Sequence, residues 1–217
     1  MITTVLFDLD GTLVDTAPVL GYALNLQLEK HGKPALSDAA IRPFASHGSR
    51  GLIGLGFGIT PEDTNFISMR DEYLSIYDTV FTRSPVLLPG MEDLLQVLES
   101  KKINWGIVTN KPRRFTQPLL KSMGLDKRAA CVVSGDDAAQ PKPSPATLLM
   151  ACSQVGVKSE RCVYVGDAER DIVAGKAAGM QTVVALFGYI DVTDKPHGWG
   201  ADALITKPDE LIKLLNI

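Results

Sequence analysis

Apolar residues along this chain fall into two kinds of run. Short continuous ones, at 2–7, 104–108, 131–134, 161–165, 181–186 and 202–205, have the length and β-branched content of buried strands. Between the later ones, apolar positions recur every three or four residues. Met91, Leu94, Leu95 and Leu98 form one such set; Leu119, Leu120 and Met123 a second; Leu148, Leu149, Cys152 and Val155 a third. Strands alternating with amphipathic helices imply right-handed crossovers and a parallel sheet. The predicted fold class is α/β, a doubly wound, Rossmann-like parallel sheet.

Residues 16–88 break that rhythm. Leu20, Leu24 and Leu28 repeat every four residues on one helix, with Thr16 placed to cap it. Phe66, Met69, Tyr73, Ile76, Tyr77 and Val80 repeat at three and four residues on another. The stretch 43–58 between them is rich in Gly and Ser, with room for short helical pieces, and no strand pattern interrupts. The expected organisation is a core of residues 1–15 plus 89–217 with a small all-helical lobe, 16–88, inserted after the first strand.

Composition narrows the function classes. At 217 residues and 45% hydrophobic content, the chain can bury one substantial core, or a core plus a small lobe. A net charge of −3 with scattered Lys and Arg gives no footprint for nucleic acid. No apolar run is long enough to span a membrane and no basic leader precedes the first strand, so the expected location is the cytoplasm. The three cysteines, Cys131, Cys152 and Cys162, lie in apolar stretches and read as reduced core residues.

Candidate chemistry gathers where strands end. The first run closes on Phe7-Asp8-Leu9-Asp10-Gly11-Thr12, two carboxylates one residue apart. Ligand sites of open α/β sheets lie at the carboxyl ends of strands, and paired acids there need a cation or a shared proton. A turn with charged edges is the competing reading. Thr109-Asn110 ends a second strand, where turn chemistry explains the pair equally well. Lys142 stands between Pro141 and Pro143, either aimed by them or simply exposed on a loop. Gly166-Asp167 ends a third strand, and Asp171 follows one helical turn later on the same face.

These four pieces, in this order, resemble the four motifs of the haloacid dehalogenase-like superfamily, in its phosphatase branch. The helical lobe matches that superfamily's cap. The resemblance implies Asp8 as nucleophile, forming an aspartyl-phosphate, and Asp10 as general acid and base. It implies Mg²⁺ held by Asp8, Asp167 and the backbone carbonyl of Asp10, with Asp171 behind them. Thr109, Asn110 and Lys142 would hold the phosphoryl oxygens. Asp10 favours a phosphatase over a dehalogenase, which has no alcohol leaving group to protonate.

The segments Trp105-Gly106-Ile107-Val108-Thr109-Asn110-Lys111-Pro112, Gly166-Asp167-Ala168-Glu169-Arg170-Asp171 and Trp199-Gly200-Ala201-Asp202 resemble bacterial phosphoglycolate phosphatases and N-acetylmuramic acid 6-phosphate phosphatases. The expected substrate is therefore a small phosphorylated metabolite, the muramic acid compound ahead of 2-phosphoglycolate. His47, Ser49 and Arg50, in a Gly- and Ser-containing loop of the cap, are candidates for its specificity, as are Lys111, Arg113 and Arg114 at the rim. A phosphoglucomutase-like phosphoryl transfer and a non-catalytic binding protein on the same fold are the competing classes. Monomer and homodimer both remain open.

Overall fold

The computed structural model describes residues 1–216. In chain order the elements are β1 (Thr4–Phe7), β2 (Val14–Asp15), α1 (Ala17–Lys30), α2 (Asp38–Ile41), α3 (Gly48–Phe57), α4 (Phe66–Asp78), β3 (Val86–Leu87), α5 (Met91–Ser100) and β4 (Asn104–Val108). They continue with α6 (Arg113–Met123), β5 (Val132–Val133), α7 (Ala146–Val155), β6 (Cys162–Gly166), α8 (Glu169–Ala177), β7 (Gln181–Ala185), β8 (Ala203–Ile205) and α9 (Glu210–Leu215). Six strands form one parallel sheet in the order β5-β4-β1-β6-β7-β8. The strand order reverses at β1, the switch point at which doubly wound sheets bind ligands.

The core follows from the alternation of β1. Val5 and Phe7 point to one face, where α5 and α6 contribute Leu94, Leu95, Leu98, Phe115 and Leu119. Leu6 points to the other, with Leu148 and Cys152 of α7 and Ala174 of α8. Both faces are covered, which is why these strands read as unbroken apolar runs. The three cysteines are free and buried.

Helices α1 to α4 occupy the stretch between β2 and β3, and these two short strands pair antiparallel where the chain leaves the sheet region and returns. The pair is two residues long on each side, too short to register as a strand pattern in sequence. Tyr73 and Tyr77 of α4 are buried with Leu20 and Leu24 of α1, the expected apolar stripes. Thr16 does precede α1, but its hydroxyl does not cap the helix. It donates to Asp10 Oδ1 at 2.6 Å instead. The phenol oxygen of Tyr189 accepts from the Thr16 and Ala17 N–H groups at 2.7 and 2.8 Å, doing the capping from 172 residues away.

Candidate active site

The sheet register assembles the site. Phe7 pairs with Ile107 on β4 and Val165 on β6, so the residues just past these three strand ends emerge together at one edge. Asp8 follows β1, Thr109 follows β4 and Asp167 follows β6. The Asp8 N–H donates to Val165 O at 2.9 Å, holding the first carboxylate against the third strand. Gly11 turns the chain at φ 84°, and a Cβ there would overlap Asp167 Oδ2, so only glycine lets this loop pass.

Carboxylate oxygens of Asp8, Asp167 and Asp171 lie within 4.8 Å of one another, all buried. Lys142 reaches them from its loop with a fully buried side chain, its Nζ 2.9 Å from Asp8 Oδ1 and 2.7 Å from Asp171 Oδ1. It also donates to Val108 O at 3.1 Å and to the Tyr164 hydroxyl at 2.6 Å. Burial works against the Lys142 charge, but Asp171 and Asp8 outweigh it and raise the pKa above the ordinary lysine range. The contact with Asp8 is a buried ion pair. Beyond it, Asp8 Oδ1 has no hydrogen-bond partner among the described residues.

Burial pushes the Asp8 carboxyl above its usual range; Lys142 opposes that and Asp171 adds to it. Asp167 is pushed up to about 7 by burial and then by Asp8 and Asp171. Two cations, Lys142 and Arg170, face these three carboxylates, so the ionised cluster carries one uncompensated negative charge. Hard oxygen donors and a charge deficit suit a hard divalent cation such as Mg²⁺. The residues present fit that ion.

Asp10 does not join the cluster through its carboxylate. Both its oxygens face Lys111 Nζ, at 3.0 and 3.3 Å, in addition to the Thr16 hydroxyl. Lys111 is buried, with its ammonium 5.0 Å from the centre of the Tyr77 ring, rather than on an open rim. Asn110 has its amide committed on both sides to Lys142, donating to its carbonyl and accepting from its N–H at 2.9 Å each. The amide therefore anchors the Lys142 loop. Thr109 lines the cavity beside it.

That cavity, of about 950 Å³, lies between the strand ends and the helical lobe, and takes in Asp8, Asp10, His47, Ser49 and Arg50 together. His47 and Arg50 are exposed residues, and Arg113 lies outside, paired with Asp137 at 2.6 Å. The lobe meets the acidic cluster directly. Ser46 Oγ donates to Asp167 Oδ2 at 2.7 Å, while Arg170 donates to Ser46 O at 2.7 Å. Tyr189 N–H reaches the same Asp167 oxygen at 2.8 Å. None of Ser46, Tyr164, Arg170 or Tyr189 stood out by itself in sequence. Ser46 lies in the cap loop of His47 and Arg50, and Tyr164 and Arg170 in the segment around Asp167, whereas Tyr189 carried no signal.

Known proteins match along nearly the whole chain. A family model for haloacid dehalogenase-like hydrolases matches residues 5–185. A phosphoglycolate phosphatase of Xanthomonas campestris is 42% identical over 207 residues, 95% of this chain and 93% of the relative. An N-acetylmuramic acid 6-phosphate phosphatase of Pseudomonas putida is 38% identical over 212 residues, 98% of this chain and 95% of the relative. Among solved structures, a haloacid dehalogenase-like hydrolase of Streptococcus pneumoniae superposes with a TM-score of 0.83 at 22% identity, covering 99% of this chain and 98% of its own. The CbbY protein of Rhodobacter sphaeroides, in complex with phosphate, superposes at 0.74 and 23% identity, covering 97% and 96%. With acidic residues just past the ends of β1 and β6 and relatives that match over nearly its whole length, the chain belongs to the haloacid dehalogenase-like hydrolase family and is a phosphoric monoester hydrolase.

Proposed function

We propose that the protein hydrolyses a sugar-sized phosphomonoester, N-acetylmuramic acid 6-phosphate in preference to 2-phosphoglycolate, through an aspartyl-phosphate on Asp8 and with Mg²⁺. The observation that carries this reading is the cavity of about 950 Å³ in which Asp8 and Asp10 share one wall. Cavities of that size enclose drug-sized ligands, far more than a two-carbon acid fills.

Asp8 attacks phosphorus through a carboxylate oxygen; the O–P bond forms as the bond to the sugar oxygen breaks. Asp10 gives that oxygen a proton, and in the second half-reaction takes one from the water that cleaves the acyl phosphate. Lys142, 2.9 Å from Asp8, places positive charge under the attacked group. Thr109 offers its hydroxyl from the neighbouring strand end, and Asn110 keeps Lys142 in register. Mg²⁺ would be held by Asp8, Asp167 and the Asp10 carbonyl, where it supplies charge to offset two like-charged reactants. Asp171 accepts from Lys142 and from the Ala168 N–H at 3.0 Å, which supports a positioning role. Helices α1 to α4 act as a cap that sets the leaving group, with His47, Ser49 and Arg50 on its cavity face.

The test is phosphate release by kcat/KM on both esters, with acid-quenched enzyme digested to find the phosphoryl group on the Asp8 peptide. A larger kcat/KM for the two-carbon ester refutes the substrate assignment. Retention of the phosphoryl group on a rearranged sugar, without free phosphate, refutes hydrolysis.

A further inference from the structure

Helix α4 spans the cavity wall. Tyr77 stands at the catalytic end, against Lys111, which in turn holds Asp10. Arg70 is seven residues away on the same cavity-lining face, about 10 Å along the helix axis. Its Nε is closed off from solvent and has no hydrogen-bond partner among the described residues. Its contact with the exposed Asp71 next to it, at 3.3 Å, is a weak solvent-screened pair that leaves the half-buried guanidinium available. Arg114 of α6 lines the same cavity from the sheet domain, beside Leu74 of α4, and forms no ion pair among the described residues.

Opposite them the cap gives room. Gly54 of α3 lines the cavity, and a Cβ built there would find only Ile59 O, 3.7 Å away, within 4 Å. The wall between the two ends is aromatic and aliphatic, with Tyr73, Leu74 and Phe115. A ring fits such a wall, and a second anion fits the two arginines beyond it.

We propose that Arg70, with Arg114 across the cleft, forms a carboxylate subsite for the leaving group, separated from Asp8 by a sugar-ring-sized space that Gly54 keeps open. This rests on the reading of the substrate as a sugar-acid phosphate. N-Acetylmuramic acid 6-phosphate carries its carboxylate on the side of the ring away from the phosphate, as the spacing requires. Because one arginine belongs to the cap and the other to the sheet domain, a bound carboxylate favours the closed arrangement of the two.

The experiment compares N-acetylmuramic acid 6-phosphate with N-acetylglucosamine 6-phosphate, the same ring without the carboxylate, on the wild type, Arg70→Gln and Gly54→Leu. Arg70→Gln should raise KM for the muramic compound by about ten- to a hundredfold, the worth of one charged hydrogen bond, with kcat nearly unchanged. KM for the glucosamine compound should stay within about twofold. Gly54→Leu should lower kcat/KM for both sugar phosphates and leave phosphoglycolate hydrolysis intact. Equal losses on both sugar phosphates in Arg70→Gln, or none on either, overturn the subsite while leaving the substrate reading standing. A wild type that cleaves phosphoglycolate but neither sugar phosphate overturns both, since that ester is too short to reach Arg70.

Discussion

Replacing Asp167 by Asn should make the metal-free protein more stable, although it removes a residue of the proposed metal site. Burial and two neighbouring carboxylates raise the Asp167 pKa from an ordinary 3.8 to about 7. The folded state therefore binds a proton more tightly than the unfolded state, and stability falls as pH rises from about 4 through about 7. Three pKa units at 1.36 kcal/mol each put the full penalty at about 4 kcal/mol, reached above neutrality. Asp167 is 1% exposed, so solvent does little to screen it. Asparagine keeps an acceptor for Ser46 Oγ and the Tyr189 N–H, and its amide can donate to Thr12, whose hydroxyl lies 3.4 Å from Asp167 Oδ1.

Chemical denaturation in EDTA at pH 5 and pH 8 is the assay. At pH 8 Asp167→Asn should exceed the wild type by up to about 4 kcal/mol, on the order of 10 °C in Tm for a chain of this size, and the gap should narrow toward pH 5. Mg²⁺ should restore the wild type at pH 8, by about 2.7 kcal/mol at a hundredfold excess over Kd, and do little for the variant. Parallel pH profiles for the two proteins would refute the reasoning. So would a variant less stable than the wild type at pH 8 in EDTA, because the buried negative charge would then not be the penalty.

Three further outcomes are expected. Asp8→Asn should abolish phosphate release while circular dichroism and Tm show an intact fold, since the amide is a poor nucleophile; measurable turnover in that variant would argue against the covalent route. Lys142→Met leaves Asp8 and Asp171 facing each other without their buried cation, a loss of about 3–5 kcal/mol measurable by urea denaturation in EDTA. Tyr189→Phe removes the hydroxyl that accepts from Thr16 and Ala17 and donates to Asp15 at 2.7 Å, costing about 1–3 kcal/mol and quickening amide exchange at the start of α1.

Much of this architecture is legible in the sequence. The sheet was readable because its strands are apolar on both faces, and all six of its strands fall within about two residues of the apolar runs. The run 131–134 loses one residue at each end, leaving Val132–Val133 as β5. The positions of Asp8, Thr109 and Asp167 at strand ends followed from where those runs stop. The β2–β3 pair was not legible, because two-residue strands leave no periodicity. Lys111 also misled: next to Pro112 and among basic residues it reads as a rim cation, yet the fold buries it on Asp10. Nothing local distinguishes an exposed lysine from one whose carboxylate partner lies 101 residues away.

By itself, then, the sequence determined the alternation of strand and helix, and with it which residues leave the sheet at its carboxyl edge. Those are local properties, set by apolar period and by where each run ends. Only the tertiary structure decided what the exposed chemistry at that edge does. Parallel register brings Asp8, Asp167 and Asp171 within 4.8 Å, and desolvation turns three ordinary acids into a cluster short of positive charge. A hydrogen-bonded loop delivers Lys142 beneath Asp8, and Ser46 carries the helical lobe to Asp167. Coulomb energy depends on distance and on exclusion of water, and neither is written in the order of residues.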